Sequence, residues 1–183
     1  MIHMKITVFC GSRDGNRPIY KETAFALGAY LAKKWHTLVY GGSSVWLMWA
    51  VSEWALEHNG RITGVFPKTI NPSEKARITD KIKFIETENM HHRKKELVRR
   101  ADAVIILPGW WGSMDELFEV LTLNQLKTTN IPVGILNIEG YYDSLITLFE
   151  HMKSEWFIDP KHEKWISHDS SIEWLFRKMD IME

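Results

Sequence analysis

Three short stretches rich in glycine and serine are the first residues whose types and spacing suit chemistry. They are Cys10-Gly11-Ser12, Gly41-Gly42-Ser43-Ser44, and Pro108-Gly109 through Gly112-Ser113. Each follows an apolar run and precedes a helical pattern. Small residues at such junctions let backbone N–H groups close on an anion, and the positive end of the following helix adds to the attraction. One junction of this kind is ordinary turn chemistry, because glycine punctuates most strand–helix turns. Three in one small chain point to phosphate binding. None is a Walker A loop, since no Gly-Lys-Ser/Thr stands at the required spacing, and none is an intact GxGxxG. Charged residues lie close by: Arg93, Lys94, Lys95, Arg99 and Arg100 in one stretch, Glu116 and Glu119 in another. By type alone the first group is a solvated helix face, and the second complements a helix dipole. His91, His92 and Cys10 read as structural, and no His/Cys cluster has the spacing of a metal site.

The elements that must position these residues alternate. Lys5–Cys10, Thr37–Tyr40, Arg61–Phe66, Lys81–Ile85, Ala103–Leu107 and Pro132–Leu136 have the apolar, β-rich character of short strands. Helical periodicity runs through Pro18–Lys34, Val45–His58, Asn89–Arg100, Met114–Lys127 and Tyr141–Glu155. Strand–helix alternation predicts an α/β fold, a doubly wound parallel sheet flanked by helices on both faces. Ala103–Leu107 has no polar break, as a central buried strand requires. Thr69–Asp80 has no clear period and joins two strands without a full helix, which suits a flap over a site. No repeat or linker divides the chain, so residues 1–183 are read as one domain. In such sheets ligands sit at the carboxyl ends of the strands, where all three glycine-rich junctions fall.

Two segments are more specific than the rest. "MHHRK" (Met90 to Lys94) opens a helix, and "PGWWGSMDE" (Pro108 to Glu116) follows the buried strand. The second resembles the PGGxGTxxE signature of the LOG family of cytokinin-activating phosphoribohydrolases, and the first resembles its MHxRK segment. "LVYGGSSVWLMWAVSE" is similar to the family's second strand and GGGxxGLMG loop, and the likeness covers nearly the whole chain. The resemblance implies a Rossmann-like homodimer that hydrolyses the N-glycosidic bond of AMP or a cytokinin riboside 5′-monophosphate, giving free base and ribose 5-phosphate without a cofactor or metal. It places Arg93 and Glu116 on the catalytic positions. Lys94, Gly109, Gly112, Ser113, Asp115 and Thr122 fall on substrate-binding positions, and Glu74 aligns with another in the long loop. Gly11, Ser12, Gly41, Gly42 and Ser43 belong to the other two junctions, and Trp110 and Trp111 lie inside the signature. A carboxylate such as Glu116 suits a sugar cation or an attacking water, and the forked guanidinium of Arg93 suits phosphate, ribose or that carboxylate. Two alternatives stand beside this reading: a broad nucleotide nucleosidase unrelated to cytokinin, and a non-catalytic protein that binds a nucleotide or molybdenum cofactor. A lysine decarboxylase would need a Schiff-base lysine, and no segment suggests one.

Composition narrows the partners. Lys+Arg and Asp+Glu are both 23, a balance without the basic excess expected for nucleic acid or an anionic membrane. No apolar run reaches the roughly 18 residues of a membrane-spanning helix. A lone cysteine suits the reducing cytoplasm. The chain holds nine tryptophans, and six of them (35, 46, 49, 54, 110 and 156) fall where the resembled family commonly carries glycine. Drift from glycine favours small or turn-tolerant residues. Two explanations are open: a UGA codon that the source reads as glycine, translated here as tryptophan, or a lineage that remodelled its loops around indoles.

Overall fold

The computed structural model describes residues 2–71, 73, 75–76 and 80–181. Seven strands form one parallel sheet: β1 (Lys5–Phe9), β2 (Thr37–Tyr40), β3 (Arg61–Pro67), β4 (Ile82–Thr87), β5 (Ala103–Ile106), β6 (Val133–Leu136) and β7 (Ile166–Asp169). Six helices connect or follow them: α1 (Pro18–Lys33), α2 (Trp46–Glu57), α3 (Met90–Arg99), α4 (Trp111–Gln125), α5 (Asp143–Ser154) and α6 (Ile172–Lys178). The order across the sheet is β4-β3-β2-β1-β5-β6-β7. The chain therefore winds outward from β1 in one direction and from β5 in the other. Val8 pairs with Ile105 and Phe9 with Ile106. A crevice opens past the carboxyl ends of these two strands, where the winding reverses.

Strand alternation divides the core into two layers. Ile6, Val8, Leu38 and Ile105 face one side, where they pack with Leu27 and Leu31 of α1, Val51 of α2 and Phe176 of α6. Phe9, Val39, Val104 and Ile106 face the other, against Leu97 of α3, Leu117 and Val120 of α4 and Phe149 of α5. Burial on both faces explains why Ala103–Leu107 has no polar break. The Rossmann-like doubly wound sheet anticipated from the alternation is the fold observed.

The differences lie at element ends and at the C-terminus. Helix α4 begins at Trp111 rather than Met114, so the glycine-rich signature already forms its first turn. Strand β4 runs to Thr87, two residues beyond the expected end. β7 and α6 were not anticipated. β7 is a half-buried edge strand of sequence ISHD, too short and polar to stand out as an apolar run, and it pairs with β6 through Ile135–His168 and its neighbours. No described residue of the segment 68–81 between β3 and β4 belongs to an α-helix. The segment folds back on the second glycine-rich loop: Ser43 and Lys75 form an isolated antiparallel bridge, and the Ala76 N–H donates to the Gly42 carbonyl at 3.0 Å.

Candidate active site

Two helices carry the charged residues of the crevice. Asn89 caps α3, its side chain accepting from the His92 N–H at 2.9 Å. That cap sets the helical phase so that Arg93 and Leu97, four residues apart, share the buried face. On α4 the buried stripe is Ser113, Glu116, Leu117, Val120 and Asn124, so Ser113 and Glu116 point inward with the core. The two helices bring Arg93 and Glu116 together. Arg93 Nη1 donates to Glu116 Oε1 at 3.3 Å, and Arg93 Nε donates to the Val65 carbonyl at 3.3 Å. Both residues are buried. Burial pushes the Glu116 carboxyl up to about 7, against the pull of the Arg93 guanidinium. The Cys10 thiol lies on the same wall and is pushed well above its ordinary range, chiefly by burial.

Glycine is demanded where Arg93 passes the second loop. A Cβ on Gly41 would lie 1.9 Å from Arg93 Nη2 and 3.0 Å from Met48 Sδ. The guanidinium occupies the space that any other residue would fill. The same logic holds in the signature, where a Cβ on Gly109 would meet Ser113 Oγ at 2.1 Å. The first and third loops are tied by the Gly11 N–H donating to the Pro108 carbonyl at 2.9 Å. Tyr142 OH donates to the Leu107 carbonyl at 2.7 Å, and Tyr141 OH donates to the Gly109 carbonyl. Neither tyrosine has a distinctive spacing; their contacts arise only when the turn before α5 meets the loop after β5.

The cleft measures about 290 Å³ and contains Arg93, Glu116, Ser12, Ser43, Ser113 and Trp110 in its walls, with Gly41 and Gly112. Among the described residues, the hydroxyls of Ser43 and Ser113 are buried without a hydrogen-bond partner. They stand on the second loop and in the first turn of α4, so two orphaned hydroxyls line one cleft. Met48, Phe66, Ile70 and Met90 supply an apolar wall that the sequence did not distinguish from ordinary core. Trp110 lines both this cleft and a neighbouring hollow with Gly11 and Gly109. Its Nε1 donates to Ser12 Oγ at 3.3 Å, so the indole bridges the first and third loops.

Other residues named from the resemblance lie elsewhere. Asp115 and Thr122 are on a different stripe of α4 from Glu116, and Lys94 meets that stripe from α3. Lys94 Nζ contacts Asp115 Oδ2 at 2.9 Å and Glu119 Oε2 at 3.0 Å, beside a shallow hollow that includes Phe118 and Thr122. Trp111 projects into solvent. Gly42 turns the second loop at φ +72° under Phe66, and Glu74 lies outside the described residues. A larger groove of about 640 Å³ opens at the amino ends of β1 to β4, among Lys5, Arg61, Lys81 and Arg100. It has no counterpart to the buried Arg93–Glu116 pair. No group of three His, Cys, Asp or Glu among the described residues could hold a metal ion.

A family described as possible lysine decarboxylase matches residues 48–179. The cytokinin riboside 5′-monophosphate phosphoribohydrolase LOG7 of Arabidopsis thaliana is 43% identical over 181 residues, covering 98% of this chain and 82% of the plant protein. The chain belongs to the LOG family. A probable member from Oryza sativa subsp. japonica, LOGL1, is 40% identical over 96% of this chain and 78% of its own length. Among solved structures, the molybdenum cofactor binding protein of Rippkaea orientalis matches with a TM-score of 0.73 at 22% identity, over 98% of this chain and 97% of that one. The molybdenum cofactor carrier protein of Chlamydomonas reinhardtii gives 0.72 at 17% identity, over 98% and 97%. At such identities these two establish the shared fold alone.

Proposed function

We propose that this LOG-family chain is a hydrolase that cuts the N-glycosidic bond of a nucleoside 5′-monophosphate, AMP or a cytokinin riboside monophosphate, releasing base and ribose 5-phosphate. The observation that carries the reading is the buried Arg93–Glu116 pair in a cleft lined by two orphaned serine hydroxyls, one of them in the first turn of α4. The 5′-phosphate is held by the first-turn N–H groups of α4 and the hydroxyls of Ser113 and Ser43, with Gly109 and Gly112 giving it close approach. The ribose then lies over Glu116. As the C1′–N bond breaks, its electron pair leaves with the base and positive charge builds on the sugar. The Glu116 carboxylate stabilises that charge and takes a proton from the water that adds to C1′. Returning this proton to the departing base closes the cycle. Arg93, held by the Val65 carbonyl, keeps Glu116 in place and partly ionised despite its burial.

Decarboxylation fits the same residues poorly. A Schiff-base lysine needs a depressed pKa, and no described lysine lines the cleft. Lys94 is instead held above its ordinary value, first by its hydrogen bond to Asp115. The identity of the base, the cytoplasmic location and pairing of the chain into a homodimer belong to this proposal. The deciding experiment measures base released from AMP and from isopentenyl-AMP. The wild type should release base from at least one of them, and Glu116→Gln should lose roughly 10²–10³-fold in rate while staying folded. Tight nucleotide binding with no released base would leave a binding protein instead.

A further inference from the structure

The geometry points to glycine, not tryptophan, at positions 35, 46 and 156 of the protein as its source makes it; we propose that these three residues are encoded by UGA in a source that decodes UGA as glycine. Backbone conformation sets these positions apart. Seven described non-glycine residues have positive φ, and three are tryptophans: Trp35 at 62°, Trp46 at 57° and Trp156 at 63°. Tryptophan accounts for nine of 183 residues, so this share is far beyond its abundance. Two of the other four, Asn59 and Asp180, are types whose short polar side chains tolerate this region, whereas a bulky residue there is an outlier.

Position explains what each backbone requires. Helix α1 ends with the Trp35 N–H donating to the Ala32 carbonyl at 3.0 Å and the His36 N–H donating to the Leu31 carbonyl at 3.0 Å. Helix α5 ends in the same way, with Trp156 donating to Lys153 at 3.0 Å and Phe157 to Met152 at 2.9 Å. This is the Schellman pattern, and its left-handed residue is ordinarily glycine. Trp46 follows an extended Val45 at φ −114° and opens α2 from the second glycine-rich loop. Nothing in the packing of the two helix-end indoles offsets the cost. Trp35 is 70% exposed and Trp156 84%, so their large apolar surfaces remain in water.

The remaining substituted positions do not make the same demand. Trp49 and Trp54 sit in regular helix against Phe25, with ring centroids 5.7 Å and 4.3 Å away. Trp110 has φ −127°. The proposal is therefore confined to three residues. A single codon connects them: UGA is one letter from the tryptophan codon UGG and from the glycine codon GGA. Ordinary point substitution has no reason to choose left-handed sites, but a reassigned codon follows glycine wherever glycine is needed.

The test reads the gene and the native polypeptide. UGA at codons 35, 46 and 156, with glycine at those positions in peptide masses from the source organism's own protein, is the expected result. UGG at any of the three, or tryptophan in the native peptides, overturns the proposal. A second measurement uses the full chain carrying Trp35→Gly and Trp156→Gly, both outside the cleft. Its Tm should exceed that of the tryptophan-bearing chain by about 2–4 °C per residue restored. An unchanged or lower Tm would show that the indoles cost the backbone nothing and remove the conformational argument.

Discussion

At the scale of single residues, the candidate site turns on Glu116 and what surrounds it. The raised carboxyl has a thermodynamic consequence that can be separated from catalysis. Its folded value, about 7, lies above the ordinary 4.5, so the folded state holds the proton more tightly than the unfolded chain. Stability from this group is fully present below about pH 4.5 and is lost as pH rises through 7, by an amount of order 3 kcal/mol. Glu116→Gln keeps the shape without the titration. Its Tm should match the parent's near pH 4.5 and exceed it at pH 8, while base release by the parent should rise with pH through about 7. A melting profile for the glutamine variant that falls with pH as steeply as the parent's would show that another group is titrating. Gly41 provides an independent check. Gly41→Ala places a methyl group in the space of the Arg93 guanidinium; it should fold, yet lose base release roughly as Arg93→Ala does. Arg93 and Glu116 stand out in the sequence through the two family-like segments, and the fold brings their side chains together. The demand of Arg93 on Gly41 was not visible, since it depends on residues 52 positions apart meeting across β3.

Elements decide which of the named residues can act together. The helical period places Ser113 and Glu116 on one stripe of α4 and Asp115 and Thr122 on another, so adjacent sequence positions face different surroundings. A list of residues along the signature does not reveal this division; the helix start does, and it lay three residues earlier than the periodicity suggested. The inner strands were legible because burial on both faces leaves mostly apolar runs, and the edge strand β4 because Ile82, Phe84 and Ile85 keep an apolar character. The edge strand β7 was not, because its four residues ISHD resemble a loop. The first turn of α4 makes its own prediction. If its N–H groups and the Ser113 hydroxyl hold a 5′-phosphate, AMP should bind far more tightly than adenosine in calorimetry. Ser113→Ala should weaken AMP by about 1.5–3 kcal/mol, the range for hydrogen bonds to charged groups, and leave adenosine unchanged. Equal affinity for AMP and adenosine would place the anchor elsewhere.

On the whole molecule, the sheet and the helices that cover its two faces hold the two core clusters, yet some apolar residues remain outside them. Phe118 of α4 and Leu148 of α5 are partly exposed, and Leu126 just beyond α4 is largely so. Phe118 adjoins the hollow where Lys94 meets Asp115 and Glu119. An exposed phenylalanine beside paired charges suits a protein interface. A second copy of the chain is the partner the resemblance implies, and the outer stripe of α4 is the surface available to it, because the inner stripe is spent on the core and the cleft. Light scattering at micromolar concentration should then give a dimer, with about 1,600 Å² buried in total for an interface of standard size. Phe118→Glu would set a carboxylate beside Asp115 and Glu119 and repel its counterpart across the interface. That variant should be monomeric while retaining the parent's secondary structure, because Phe118 lies outside the fully buried stripe of α4. A monomeric parent would remove α4 as an assembly surface and leave Lys94, Asp115 and Thr122 as surface residues outside a self-contained cleft.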